Sequence, residues 1–305
     1  MKLLSPKRAL RATRPWWLVM GVACLALPAA AQTLQRPARP ELPASVWLLT
    51  SQQRLIQVDA NRPGAPLQER AVTGLPAGDA LVAIDYRVAR GVMYGVGRSG
   101  VLYTLTPATG QAQAVSGTPA LQGLPTGPVG FDFNPVADRI RVVTASGMNL
   151  RLHPDTGAMV DFDAQAPGTQ PDPELSFAAG DVHAGQRPQV AAAAYTYNTQ
   201  NDKLTTNYVI DRQLALLAIQ GSREGAQPVV SPNLGVLKTV GPLGSQPEGE
   251  IAFDISDIDN VALASWQTVQ RPAATLYRLN LDTGAATLLD TLPTTDRVIG
   301  LAIEP

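Results

Sequence analysis

Cysteine and histidine are nearly absent from this sequence, and clusters of basic residues are missing beyond the first 31 positions. The 305 residues include one Cys and two His. A single Cys excludes a disulfide framework and any metal site built from several cysteines. Two His leave little for a His-rich metal site or a His-dependent catalytic triad. Because clustered Lys and Arg neutralise phosphates, their absence argues against nucleic acid as a partner.

The first 31 residues have the features of a secretory signal peptide. Five basic residues come first, an apolar stretch follows at 16–27, and Ala29-Ala30-Ala31 offers a cleavage site. The apolar stretch is shorter than the roughly 20 residues of a membrane-spanning helix, so we expect no transmembrane segment. Lipoprotein anchoring through Cys24 is not expected, because Gly21 stands where a lipobox has Leu. We predict an exported protein, periplasmic or secreted.

Removal of these residues changes the charge of the chain. Residues 32–305 carry 19 basic and 25 acidic residues, a net charge of −6, whereas the whole sequence has a net charge of −1. Residues 32–44 contain three prolines and are predicted to form an extended tether. We expect a single domain over residues 45–305.

Five segments of this domain share one alternating pattern. Large apolar residues flank each central position, and a small residue stands two positions before it. The centres are Asp85, Asp132, Thr196, Asp254 and Ala302. An alternation with a period of two predicts a strand. Further strand-like segments follow each one, separated by turns such as Pro107-Ala-Thr-Gly110, and four antiparallel strands per repeat are typical of a propeller blade.

The sequence therefore predicts an all-β fold, a β-propeller of five four-stranded blades. The C-terminal segment lacks following strands and the N-terminal strands lack a first one, so we expect the two ends to pair and close the ring. Successive centres lie 47, 64, 58 and 48 residues apart. The two longer intervals contain Gly- and Pro-rich insertions at 165–189 and 221–236. Either insertion could contain a hairpin, which leaves six blades as the alternative.

Several stretches point to a known family. They are Asp85-Tyr86 with Met93-Tyr-Gly-Val-Gly97, the run Gly130-Phe-Asp-Phe-Asn-Pro-Val-Ala-Asp-Arg-Ile-Arg-Val-Val143, and Pro154-Asp-Thr-Gly157. Residues 45–305 resemble a family of secreted bacterial proteins defined as domain of unknown function 4394. The resemblance implies a β-propeller-like secreted domain and no particular reaction. Thr196 replaces Asp in the third repeat, so a ring of carboxylates would be incomplete.

Three aspartates are the strongest candidates for a site. Asp85, Asp132 and Asp254 hold equivalent positions on three innermost strands, on the face that looks into the central channel. Hard oxygen ligands that converge there would suit calcium, the one cofactor that the sequence suggests. The simpler interpretation is that each Asp hydrogen-bonds the neighbouring blade. Further polar groups are expected in the channel two residues beyond the centres of the second, third and fifth segments. They are Asn134, Asn198 and Glu304.

Two other patterns of charged residues have simple structural interpretations. The segment Asp254-Ile-Ser-Asp257-Ile-Asp259-Asn260 alternates acids, but it lacks the central Gly and the final Glu of a calcium-binding EF-hand loop, so we interpret it as a polar turn. Arg139, Arg141 and Arg151 lie on adjacent strands. They either pair with acids across strands or form an anion site on one rim.

No catalytic nucleophile, His-centred group or cofactor fingerprint is recognisable in the sequence. The leading functional hypothesis is therefore a non-enzymatic binding or scaffold module, monomeric, with a protein or glycan ligand. The alternative is a calcium-dependent hydrolase or lactonase with Asp85, Asp132 and Asp254 around a cation in the channel. The two hypotheses differ in whether these side chains converge within about 5 Å of one another, as shared coordination requires.

Overall fold

The computed structural model describes residues 41–116 and 123–305. Twenty strands in these residues form five sheets, arranged as the five blades of a β-propeller. The predicted all-β fold and its five blades are confirmed. The predicted signal peptide lies outside the described residues. No helix among the described residues is both long and apolar enough to cross a membrane.

In blades 1, 2 and 4 the chain begins at the innermost strand, blade 5 takes its innermost strand from the C-terminal segment, and blade 3 begins with an added outer strand. Blade 5 contains β1 (Val46–Thr50), β2 (Arg54–Val58) and β3 (Pro66–Ala71), blade 1 contains β4 (Leu81–Arg87), β5 (Val92–Gly97), β6 (Leu102–Thr106) and β7 (Gln111–Ala114), and blade 2 contains β8 (Val129–Asn134), β9 (Arg139–Thr144) and β10 (Asn149–Leu152). Blade 3 contains β11 (Ser176–Phe177), β12 (Val190–Tyr195), β13 (Asn207–Asp211), β14 (Leu216–Gln220) and β15 (Val236–Pro242), blade 4 contains β16 (Glu248–Ile255), β17 (Ala262–Thr268), β18 (Arg271–Leu279) and β19 (Ala286–Thr291), and β20 (Val298–Ile303) is the innermost strand of blade 5. Two 3₁₀ turns, Val88–Arg90 and Pro232–Leu234, are the helical elements.

The two ends of the chain close the ring, as predicted. β20 pairs antiparallel with β1, with Val46 opposite Ile303 and Leu48 opposite Leu301. The pairing leaves no free innermost edge at the junction, and an unpaired edge would be a site for aggregation. The described end of the predicted tether also contacts this blade, since the Leu42 amide donates to Asn61 Oδ1 at 3.1 Å.

Two blades depart from the predicted four strands. Blade 2 has three strands, and the place of the fourth is taken by a loop whose Val160 amide donates to the Arg151 carbonyl at 2.8 Å. Blade 3 has five, because the insertion at 165–189 supplies β11, which pairs parallel with β15 through Ser176 and Val236. The insertion at 221–236 forms a 3₁₀ turn instead of a hairpin, so neither insertion builds a sixth blade.

Small residues let the five innermost strands approach one another closely. A Cβ at Gly130 would lie 2.8 Å from the Ala193 amide nitrogen, and one at Gly300 would lie 3.2 Å from the Ile84 nitrogen. The space left at the centre has a volume of about 10 Å³, which is room for about one water. Between the blades, apolar side chains pack as in stacked sheets, and Ile219 of blade 3 and Trp266 of blade 4 belong to one buried cluster. Within blade 4, the Trp266 and Tyr277 rings stack at 4.0 Å.

Candidate functional site

The three predicted aspartates converge. Asp85, Asp132 and Asp254 lie near the carboxyl ends of β4, β8 and β16, which all reach the same end of the propeller. We call this end the carboxylate end. One carboxylate oxygen of each residue lies within 4.8 Å of those of the other two. The residues are only 4–5 % exposed, so the group is buried below the surface.

Each of these carboxylates is also hydrogen-bonded to the next innermost strand. The Phe133 amide donates to Asp85 Oδ2 at 2.7 Å, and the Tyr195 amide donates to Asp132 Oδ1 at 3.0 Å. The Ile303 amide donates to Asp254 Oδ2 at 2.6 Å. The aspartates thus connect neighbouring blades and converge at the centre as well, so the two interpretations of the sequence describe the same side chains.

The third repeat takes a different register from the one in the sequence alignment. Asp85 and Asp254 each accept a hydrogen bond from the amide of the residue just after the central residue of the next blade. Those central residues are Asp132 and Ala302. By the same rule, the bond from Tyr195 to Asp132 makes Ala194, and not Thr196, the central residue of β12. A shift of two residues keeps every side chain on its face of the sheet, which is why the alternation did not reveal it.

Burial and mutual repulsion change the acidity of the group. Burial, followed by the charges of Asp254 and Asp257, raises the pKa of Asp85 well above its ordinary value. Burial and the neighbouring carboxylates raise the pKa of Asp132 in the same direction. Burial raises the pKa of Asp254 to about 7, although amide hydrogen bonds from Ile303 and Ile255 act to lower it. Each folded carboxyl therefore holds its proton to a higher pH than in the unfolded chain.

Asp257 is a fourth acid that acts electrostatically on this group, and the sequence did not assign it there. Burial and the charge of Asp254 raise the pKa of Asp257 to about 8. The residue belongs to the acidic segment that we interpreted as a polar turn, and it does follow β16 in a turn. The alternating acids were the signal, but nothing local shows that this turn lies beside the carboxyl groups of other blades.

The group could hold a cation because no basic side chain neutralises it. None of the ion pairs within residues 41–116 and 123–305 includes Asp85, Asp132 or Asp254. Oxygens on opposite sides of a calcium ion stand roughly 4.6–5.2 Å apart, whereas magnesium needs about 4.2 Å or less. A separation of up to 4.8 Å is thus compatible with calcium.

The other predicted channel residues make local contacts. Asn134 Oδ1 accepts the amides of Val136 and Ala137 in the turn after β8. Asn198 Oδ1 accepts two amides in the turn after β12. Their oxygens close turns, because a short amide side chain can reach the backbone two residues on.

Glu304 is likewise separate from the aspartates. Its Oε2 accepts the Ser45 hydroxyl, Trp47 Nε1 at 3.4 Å and Gln57 Nε2 at 3.3 Å. Glu304 is exposed, and it is not among the acids of the described chain that group with Asp85. It therefore ties the last residues of the chain to β1 and β2.

The arginines predicted as an anion rim pair with protein groups instead. Arg141 and Arg151 both donate to the fully buried carboxylate of Asp172, at 2.5 and 2.7 Å. Arg139 donates to the carbonyls of Ala137 and Asp138. The Arg141 guanidinium is 1 % exposed, which matches the interpretation of pairing with an acid. The acid comes from the insertion at 165–189, so the pairing links that insertion to blade 2.

Comparisons with known proteins place the chain in a family without assigning an activity. No curated protein matches it. Similar solved structures include the dihydro-heme d1 dehydrogenase NirN in complex with DHE, with 14 % identity over 85 % of this chain and 47 % of that one, at a TM-score of 0.38. A mitotic checkpoint complex has 11 % identity over 85 % and 64 % at 0.33, and U3-55K has 10 % over 85 % and 81 % at 0.42. This chain spans about half the length of the first and just under two thirds of the second.

The family suggested by the sequence is confirmed by a match that covers most of the propeller. The matching family model extends over residues 54–302, from β2 to the last strand. It includes all three converging aspartates. This chain belongs to the family described as Domain of unknown function (DUF4394).

Proposed function

We propose that this protein is an exported, non-enzymatic binding module that takes a calcium ion at the carboxylate end of its propeller. The observation that carries the proposal is the convergence of three buried carboxylates, with oxygens within 4.8 Å of one another. Calcium prefers such hard oxygen ligands at about 2.3–2.6 Å. The loops around this end would present a surface to a protein or glycan ligand.

Calcium would do two things in this site. It would replace the protons that the raised pKa values of Asp85, Asp132 and Asp254 imply, and it would remove the repulsion among their charges. Since each carboxylate also accepts an amide of the next innermost strand, the ion would stabilise the junctions between blades. Three carboxylates fill only part of the six to eight positions that calcium offers, so water or carbonyl oxygens would complete them.

Burial favours binding over catalysis. A catalytic metal keeps one coordination position open to substrate. Here the aspartates are 4–5 % exposed, so little of their surface is open to a substrate. A structural ion needs no such access.

Calorimetric titration with calcium tests the proposal. The purified protein, stripped with EGTA, should bind one equivalent of calcium and unfold at a higher temperature, by about 2.7 kcal/mol of added stability at 100 times Kd. Asp85→Asn should lose the binding heat. The control Asp211→Asn alters another buried aspartate, which accepts the amides of Gln189, Gln213 and Leu214, and it should bind calcium normally. Absence of heat together with an unchanged melting temperature in the unmodified protein would refute the calcium site.

The calcium-dependent hydrolase or lactonase is the second candidate. It is favoured by the same separation of up to 4.8 Å, which a catalytic ion would also require. Aryl esters and lactones incubated with the calcium-loaded protein distinguish the two candidates. We expect no turnover. Calcium-dependent turnover that disappears in Asp85→Asn would establish the hydrolase instead.

Export is proposed from the features of residues 1–31. Cell fractionation of a strain that produces the full chain should find the protein in the periplasm or the medium. N-terminal sequencing of the exported protein should begin at Gln32. A product that stays in the cytoplasm with residues 1–31 attached would contradict the export part of the proposal alone.

A further inference from the structure

A cavity of about 280 Å³ opens at the carboxylate end, between blades 1, 2 and 3. Its wall is about half apolar, and the apolar part includes Val88, Phe133 and Val136 beside the Tyr197 ring. It adjoins the buried carboxylates, because the Phe133 amide is the donor to Asp85 Oδ2. The volume lies near the lower end of the roughly 300–1,000 Å³ of small-molecule sites.

The charged residues of this cavity leave an excess of negative charge. Arg87 is the one basic residue among its described lining, and its guanidinium is bound by the carboxylates of both Asp138 and Asp155. The Tyr94 hydroxyl takes a further bond from it. Asp155 also pairs with Arg90, whose Nη1 lies 3.9 Å from Asp155 Oδ1, so the two arginines balance the charges of Asp138 and Asp155. Arg87 is therefore not available to a ligand anion.

Asp202, on the opposite wall, carries the negative charge that remains. It lies in the turn after β12, it is exposed, and no ion pair of the described residues includes it. The cavity thus combines apolar surface, two aromatic residues and one unneutralised carboxylate. An ammonium group is attracted both to carboxylates and to aromatic faces.

We propose that this cavity binds a small organic cation, an amine with an apolar or aromatic body. The body would lie against Val136 and Phe133, and the ammonium group would lie towards Asp202. The surplus negative charge excludes organic anions. This site is separate from the calcium site and does not require it, although a calcium ion near Asp85 would weaken the binding of a second cation.

The test compares three probes of the same shape and different charge. They are 2-phenylethylamine, the neutral 2-phenylethanol and the anionic 3-phenylpropanoate, titrated into the protein by calorimetry and saturation-transfer NMR. EGTA is present throughout, so that the result does not depend on calcium. We expect the amine to bind about tenfold more tightly than the alcohol, the anion to show no binding, and added salt to weaken the amine.

Variants locate the site. Asp202→Asn should weaken the amine about threefold and leave the alcohol unchanged. Val136→Trp should fill the cavity and abolish binding of both. Glu248→Gln is the control, because it removes an exposed carboxylate at the opposite end of β16 from Asp254, and it should bind the amine normally.

Three results would overturn the proposal. They are equal affinities for the amine and the alcohol, no binding of the amine up to its solubility limit, and the same amine affinity in Asp202→Asn as in Glu248→Gln. If Val136→Trp fails to fold, the comparison of the other two variants still decides. The calcium titration is a separate experiment, and its result does not decide any of these three outcomes. The calcium site and the amine site can therefore be refuted independently.

Discussion

Replacing Asp132 by Asn should stabilise the calcium-free protein at pH 8, although it removes a buried residue with a native hydrogen bond. An Asn oxygen can still accept the Tyr195 amide that Asp132 Oδ1 accepts at 3.0 Å. What the substitution removes is one acidic group from three whose oxygens lie within 4.8 Å. We therefore expect the electrostatic gain to exceed any loss of packing.

The size of the effect follows from the geometry. Two unit charges 4.8 Å apart, the upper limit of these separations, repel by about 3.5 kcal/mol at an effective dielectric constant of about 20. The folded protein could avoid this repulsion by keeping a proton on Asp132, but at pH 8 that would cost roughly 5–6 kcal/mol relative to an unfolded carboxyl of ordinary pKa 3.8. Because the repulsion is the smaller of the two costs, it sets the loss of stability, and Asp132→Asn should recover about 3 kcal/mol.

Thermal and urea unfolding in EGTA measure this gain. At pH 8 the melting temperature of Asp132→Asn should rise by roughly 6–12 °C. At pH 4, close to the ordinary pKa of 3.8, keeping the folded carboxyls protonated costs less than about 1 kcal/mol, and the difference should nearly vanish. With calcium in excess the order should reverse, because the unmodified protein alone keeps all three ligands.

The control and the refuting result use the same assay. Asp211→Asn should be destabilised by about 1–3 kcal/mol at both pH values, because Asp211 accepts three amides and an Asn amide group would face one of those donors. If Asp132→Asn behaves like Asp211→Asn, losing similar stability at pH 4 and pH 8, the repulsion among the aspartates is not significant and the reasoning fails.

Three further predictions concern the fold. In EGTA the free energy of unfolding should be highest below about pH 4 and should fall as the pH rises to about 8. The reason is that the pKa of Asp254 is raised to about 7 in the folded protein, so the unfolded chain releases this proton first as the pH rises. Constant stability over pH 4–8 in urea titrations would contradict this. Arg141→Met should lose about 3 kcal/mol or more in urea, since a buried carboxylate loses one of its two partners, whereas Arg139→Met should change little. Gly284→Ala should lower the melting temperature more than Gly185→Ala, because both have positive φ but only the first would place a Cβ 2.3 Å from a carbonyl oxygen; equal losses would show that the contact is unimportant.

The innermost strands could be predicted because their signal is local. Segments around Asp85, Asp132 and Asp254 alternate with a period of two, and each forms the innermost strand of its blade. The turn at Gly284 follows from the same kind of information, since only a residue that tolerates a φ of +78° closes it easily. Such features depend on a few neighbouring residues.

Pairings between distant segments could not be predicted in the same way. The parallel contact of Ser176 with Val236 joins residues far apart in the chain. The register of β12 was missed because Ala191 to Ala194 are all small and offer no landmark. A slip of two residues preserves the alternation.

The sequence by itself determined the class of fold, the ring closure and the three aspartates as a candidate group, because repeats and alternation are patterns of the amino-acid sequence. Only the tertiary structure decided what surrounds them. It brings the charge of Asp257 close enough to interact with Asp254. It pairs Arg141 with Asp172, and it has Asn134 accept a hydrogen bond from the nearby Val136 amide. The charge around a buried group depends on which residues of other blades reach it, and that is set by packing in three dimensions.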